Sequence, residues 1–267
     1  MSNNRPVLFI DSGIGGLPYC VDFSKNNPIE EVCYLADTQN FPYGPREKEE
    51  LTSILIKLTE KLLITVNPKL IVLACNTATI SALTSLRLRF PGLPFVGTVP
   101  ALKPAAKVSG RGKVGVLGTA RTIEDIRGLN LVDADCEIFG IAAPELVEFI
   151  ERRFDKADKN EKKQTAKKYI DLFRAERADT LVLGCTHFLF LLEEFRQEAA
   201  PDIAVFDSLE GITKRVEFLL DENKGALRAE KGFLPSHRLI LTSEDADNTW
   251  HDRAKTLGLK LNLLSYL

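Results

Sequence analysis

Residues 70–78 read Leu-Ile-Val-Leu-Ala-Cys-Asn-Thr-Ala, an apolar run that breaks into small polar residues before a helix-length stretch. A run apolar at successive positions suits a strand covered on both faces, and Asn or Thr at its end suits a strand-to-helix turn. The pattern recurs outward from there, at Val7-Leu-Phe-Ile-Asp-Ser-Gly13, Val114-Gly-Val-Leu-Gly-Thr119 and Leu181-Val-Leu-Gly-Cys-Thr-His187. The strands predicted are Val7–Ile10, Val32–Leu35, Leu70–Ala74, Val114–Leu117, Glu137–Ile141, Thr180–Leu183, Ala204–Phe206 and Arg238–Leu241. Helical faces lie between them: Leu51, Ile54, Leu55, Leu58 and Leu62; Ala166, Tyr169, Ile170 and Phe173; and Phe188, Leu191, Leu192, Phe195 and Ala199. Apolar strands alternating with amphipathic helices imply an α/β fold with parallel sheets covered on both faces.

The four strand ends also form an internal echo. The pair at Val7 and Ile71 is matched by the pair at Val114 and Leu181, so two similar doubly wound α/β domains are expected, with the active site in the cleft between them. The Pro/Gly-rich stretch Pro91–Gly97 is the expected crossover, and a return near Asp207–Ser208 would let the C-terminal part rejoin the first domain. The predicted domains are therefore 1–97 with 208–267, and 98–207.

Composition narrows the function. The 267 residues are 45% hydrophobic and 27% charged, an ordinary globular balance. Lys plus Arg number 35 against 37 acids, so no general attraction to nucleic acid or anionic lipid is built in. The apolar run Val7–Ile10 is too short for a signal-peptide core or a membrane span. Five cysteines, an odd number without Cys-x-x-Cys, point to reduced thiols and a cytoplasmic protein. The charge-dense residues 151–168 read as a solvated helix start.

Four strand ends carry groups able to do chemistry: Asp11-Ser12, Cys75-Asn76-Thr77, Thr119 with Thr122, and Cys185-Thr186-His187. Taken singly, Asn76, Thr77 and Thr186 read equally well as helix caps, and each cysteine as a small core filler. Two cysteines at equivalent places in two half-molecules change that weighing. A thiol at a helix N-terminus is favoured as thiolate by the unpaired amides there. His187 lies beside Cys185, and Asp11 at a strand end near Cys75, so each thiol has a proton-handling neighbour. Two opposed thiols suit removal of a proton from one face of a carbon and delivery to the other.

Other chemistries fit less well. In Asp11-Ser-Gly-Ile-Gly-Gly16, Pro18 occupies the third glycine position of a dinucleotide loop. Cys185 and His187 could be zinc ligands, but His237 and His251 lack metal-site spacing. A cysteine hydrolase built on Cys185 and His187 leaves Cys75 unexplained. A pyridoxal phosphate racemase needs a Schiff-base lysine, and none lies in the four clusters.

The chain resembles the cofactor-independent aspartate/glutamate racemases, and within them the glutamate racemases. The matching segments are Asp11–Leu17, Ala36-Asp37 with Phe41-Pro-Tyr-Gly44, Ala74-Cys-Asn-Thr-Ala78, Gly97–Ala101 and Leu183-Gly-Cys-Thr-His187. The tail, Leu241–Asp245 with Ala254–Gly258, is similar to the family's ending. The resemblance implies that Cys75 and Cys185 are the two acid/base residues, the first taking the proton from D-glutamate and the second from L-glutamate. It implies that Asp11 and His187 assist them, with Glu151 a further assisting carboxylate. It implies a substrate pocket of Asp11, Ser12, Pro42, Tyr43, Gly44, Asn76, Thr77, Thr119, Thr122, Thr186 and His187. No cofactor or metal is expected; the partner is L- or D-glutamate, with neither nucleic acid nor membrane, and a homodimer is left open. The role implied is supply of D-glutamate for peptidoglycan.

Two departures stand beside the motifs. Phe188-Leu-Phe190 replaces the commoner Tyr-Pro-Leu, and Ala143 stands where many members carry cysteine before the proline. His187 after Cys-Thr favours the glutamate branch, since the aspartate branch typically has an acidic residue there. An aspartate or broad-specificity racemase remains the alternative enzyme, and a catalytically silent amino-acid-binding protein the alternative of another class.

Overall fold

The computed structural model describes residues 3–127, 136–225, 227–243, 248–256 and 259–263. Glu244, Asp245, Leu257 and Gly258 of the C-terminal match lie outside them. The described strands in chain order are β1 (Val7–Asp11), β2 (Val32–Ala36), β3 (Leu70–Leu73), β4 (Phe95–Gly97), β5 (Lys113–Gly118), β6 (Glu137–Ala142), β7 (Thr180–Leu183), β8 (Ala204–Phe206), β9 (Arg238–Leu241) and β10 (Lys260–Leu263). The chain forms two compact units, Met1–Thr98 with Leu209–Leu267, and Val99–Ser208.

In the first unit a parallel sheet runs β10-β9-β2-β1-β3-β4. Every residue of β1, β2 and β3 is buried, which is why these strands read as unbroken apolar runs. Leu51, Leu55, Leu58 and Leu62, one face of the helix Lys48–Thr65, pack with Leu8, Ile10, Ile71 and Leu73. In the second unit a parallel sheet runs β6-β5-β7-β8. A smaller cluster there joins Val114, Val116 and Val182 to Leu102, Ile123 and Ile126.

The echo in the sequence is an echo of topology. The path β2-β1-β3-β4 in one unit is the path β6-β5-β7-β8 in the other. The Ala74 amide donates to the Ile10 carbonyl at 2.8 Å, as the Gly184 amide donates to Leu117 at 2.7 Å. The Asp37 amide donates to Asp11 at 2.8 Å, as the Ala143 amide donates to Gly118 at 3.0 Å. Cys75 and Cys185 thus follow equivalent residues at the carboxyl ends of equivalent strands, where open α/β sheets bind ligands.

Three expectations are corrected. Pro91–Gly97 is not all crossover: Phe95–Gly97 is edge strand β4, too short to announce itself beside two prolines and a glycine. Strand β10, Lys260–Leu263, has no counterpart among the predicted strands. The helix expected from Phe188 to Ala199 is instead a 3₁₀ segment, Thr186–Leu191, followed by the α-helix Leu192–Ala199. Thr186, His187, Phe188, Leu189 and Leu191 are all buried, and that near-continuous run does not fit a helix with one solvated side.

Candidate active site

The first cluster is built by the ends of β1, β2 and β3. Asp11 closes β1 and is fully buried; its Oδ1 accepts from the Ser12 hydroxyl at 3.3 Å and the Gly13 amide at 3.2 Å. Cys75 is the N-cap of the helix Asn76–Arg89, in an extended conformation, and its carbonyl accepts the helix's Thr79 amide at 2.9 Å. Cys75 therefore stands at the first turn of that helix. Asn76 and Thr77 in that first turn are buried.

The loop after β1 must come close for this to work. A Cβ on Gly16 would lie 2.5 Å from the Ala74 Cβ and 2.9 Å from its carbonyl oxygen, so only glycine lets the loop rest on the residue before Cys75. The Tyr34 hydroxyl holds the same loop, accepting from the Gly16 amide and donating to the Gly13 carbonyl.

Tyr43 is buried and donates its hydroxyl to Asp37 Oδ2 at 2.7 Å. Burial pushes its phenol well above the ordinary range, and the charges of Asp37, Cys75 and Asp11 push the same way. Tyr43 therefore keeps its proton and commits it to Asp37. Pro42 beside it is exposed, and around Gly44 there is open space.

The second cluster is built by β5, β7 and the helix Pro144–Arg152. Cys185 caps the 3₁₀ segment in the same extended conformation as Cys75, and its carbonyl accepts from the Phe188 amide at 3.1 Å. Its sulfur lies 3.7 Å from His187 Nδ1, and His187 Nε2 lies 2.6 Å from Glu151 Oε1. The His187 and Glu151 side chains keep only 7% and 10% exposure. Glu151 therefore closes one helix rather than opening a solvated one. The next helix starts at Lys159, capped by Asp158, whose side chain accepts from the Glu161 amide.

Burial by itself disfavours a charged His187. Hydrogen bonds and charge from Cys185 and Glu151 outweigh it and hold the imidazolium well above the usual histidine range. Both ring nitrogens then donate, one toward sulfur and one toward carboxylate. Thr119 and Thr122 share a 3.0 Å hydroxyl contact at the end of β5, and the Thr119 hydroxyl accepts the Thr122 amide. Thr122 and Thr186 are buried; Thr119 is half-buried.

The other cysteines differ in character. Burial pushes the Cys33 thiol up to about 12 and Cys20 higher still, so both remain protonated. Cys136 is half-buried and donates to the Ala106 carbonyl. His237 accepts the Val32 amide, and no group of three or more metal-ligating side chains forms among the described residues.

Sequence reasoning quoted Asp37 and Thr242 within matching segments but gave neither a role. The structure makes Asp37 a buried hub that accepts from Tyr43, Asn40 and Thr242. Polar residues after apolar strands were the available signal, but the partners come from distant parts of the chain.

Comparison with known proteins supplies the family. The family model described as Asp/Glu/hydantoin racemase matches residues 25–215. The glutamate racemase of Shewanella piezotolerans is 36% identical over 243 residues, 90% of this chain and 89% of that protein. The crystal structure of Escherichia coli glutamate racemase in complex with L-glutamate and the activator UDP-MurNAc-Ala is 27% identical and superposes with a TM-score of 0.85, covering 98% of this chain and 99% of that one. Francisella tularensis glutamate racemase in complex with D-glutamate is 26% identical, with a TM-score of 0.76 and 98% of both chains covered.

Proposed function

This chain belongs to the Asp/Glu/hydantoin racemase family, and from that premise we propose that it is a glutamate racemase. It interconverts L- and D-glutamate without a cofactor, works in the cytoplasm and supplies D-glutamate for peptidoglycan. The observation that carries the reading is the equivalence of Cys75 and Cys185: each follows an equivalent strand, each caps the segment after it, and each is nearly buried. Binding a dicarboxylate does not call for two such thiols. Inverting a carbon does.

In the forward direction the Cys185 thiolate takes the α-proton of L-glutamate while the Cys75 thiol delivers its own proton to the opposite face. The reverse exchanges the roles. Cys185 is readied by the His187 imidazolium, which Glu151 holds in place. Asp11, buried at the end of the neighbouring strand β1, is the carboxylate proposed for the Cys75 side.

The obstacle is that an amino-acid α-proton is far less acidic than a thiol. The protein must stabilise developing negative charge through hydrogen bonds to the substrate carboxylate in a site closed to water. Hydroxyls and amides at segment N-termini, from Ser12, Asn76, Thr77, Thr119, Thr122 and Thr186, suit the two carboxylates; Asp11 suits the ammonium.

The test is circular dichroism of L-glutamate with purified protein in D₂O, no pyridoxal phosphate added, with Cα deuterium read by NMR and L-aspartate in parallel. Loss of optical signal with deuterium entering glutamate alone is expected, and Cys75→Ala and Cys185→Ala should each abolish it while remaining folded. Exchange in aspartate instead would favour the aspartate branch. No exchange in either would favour a binding protein.

A further inference from the structure

The segment after β9 returns to the end of β2 through hydrogen bonds that the racemase chemistry does not by itself require. The Thr242 amide donates to the Ala36 carbonyl at 3.3 Å, and the Ser243 amide to the Thr38 hydroxyl at 3.0 Å. These two bonds fix the Thr242 backbone beside the end of β2.

The Thr242 hydroxyl is then held from both sides. It accepts from the Gln39 amide at 3.1 Å and donates to Asp37 Oδ1 at 2.7 Å. A hydroxyl has one proton, and with an amide filling a lone pair that proton is directed at Asp37. The other carboxylate oxygen, Oδ2, accepts from Tyr43 at 2.7 Å, and the Asn40 amide contacts both oxygens at 3.1 and 3.0 Å. Asp37 and Tyr43 retain only 1% exposure each, and Thr242 5%, so no water competes for these bonds.

We propose that Thr242 is a positioning residue for proton transfer at Cys75, acting through Asp37 on Tyr43; this rests on the racemase reading above. Thr242 sets the plane of the Asp37 carboxylate. Asp37 holds the Tyr43 proton away from the thiol. Tyr43 and Cys75 belong to one buried cluster, so the tyrosine proton held by Asp37 is kept from quenching the thiolate. Without the threonine hydroxyl, Asp37 Oδ1 loses a donor, the carboxylate can turn toward Asn40, and the Tyr43 hydroxyl is released.

The two enantiomers are equally stable in water, so kcat/KM must stay equal in both directions whatever is mutated. Damage confined to one thiol therefore shows in isotope effects. The experiment measures kcat/KM for unlabelled and 2-deuterated D- and L-glutamate with the wild-type protein, Thr242→Val and Thr242→Ser. Valine removes the hydroxyl at similar volume; serine keeps it. Thr242→Val is expected to lower kcat/KM about tenfold. It should raise the isotope effect from D-glutamate, whose proton Cys75 removes, and reduce that from L-glutamate. Thr242→Ser should restore the wild-type ratio of the two effects.

Loss of activity with the ratio unchanged, a serine variant as impaired as valine, or a valine variant that no longer melts cooperatively would each overturn the positioning role. A wild-type protein that exchanges no α-proton of glutamate would overturn the racemase reading itself, and this role with it.

Discussion

His187 lies between the Cys185 sulfur and the Glu151 carboxylate, and those two neighbours decide its charge. The chain has three histidines, which makes the prediction readable by NMR of the ring nitrogens. His187 is held above the ordinary value of 6.5 and should remain doubly protonated through neutral pH. His237, lowered chiefly by burial against a weaker opposing effect of Glu31, should lose its proton below that value. In Glu151→Gln, the His187 titration should move down. A His187 that titrates at the unperturbed value in both proteins would contradict the assigned network. Cys75 and Cys185 could be singled out in the sequence because each ends an apolar strand in polar residues. Glu151 could not be read from spacing, since it opens a stretch in which two thirds of the residues are charged; only the resemblance marked it. What sets it apart is burial against His187, a contact 36 residues distant in sequence.

The loop between β1 and the helix Leu17–Asn26 works at the scale of the element. A methyl group on Gly16 would overlap Ala74, whose amide ties β3 to β1 and whose next neighbour is Cys75. Gly16→Ala should therefore cost about 1–3 kcal/mol of stability through overpacking. It should also lower racemisation more than a surface glycine variant such as Gly92→Ala, where a Cβ meets nothing within 4 Å. Thermal melts and initial rates of the two variants make the comparison; equal behaviour would mean that the close approach does not matter. Periodicity was a good guide where one helix face is buried, as for Leu51, Leu55, Leu58 and Leu62. It failed at Phe188 and Leu191, because a segment buried on several sides carries apolar residues that imitate an α-helical face.

At the scale of the whole molecule, the first unit is assembled from both ends of the chain. Lys69 and Glu30, with side chains fully buried, form an ion pair near the starts of β3 and β2. Lys69 also donates to the Asn3 carbonyl, and Glu30 accepts the Ala229 amide, so one pair holds segments from both ends. Lys69→Met would leave the Glu30 carboxylate buried without its lysine, at a cost of about 3–5 kcal/mol. Urea unfolding should show that loss, and Lys69→Met with Glu30→Gln should recover part of it. If the single variant is as stable as wild type, the pair is not a structural fastener. The two-fold repeat was legible because β1, β3, β5 and β7 each end in the same kind of polar break, while the strand order came from the structure. The edge strands of the first sheet were not legible: β4 is three residues long beside two prolines and a glycine, and β10 is placed by pairing with β9.

The central claim is that two different thiols serve the two faces of one carbon. It is tested most directly by following solvent deuterium separately in the remaining substrate and in the product, early in the reaction of L-glutamate in D₂O. The account predicts deuterium at Cα of the D-glutamate formed and almost none in the L-glutamate recovered, because the group that removes the proton is not the one that delivers deuterium. Deuterium entering both pools at equal rates, or product that keeps the original proton, would contradict it.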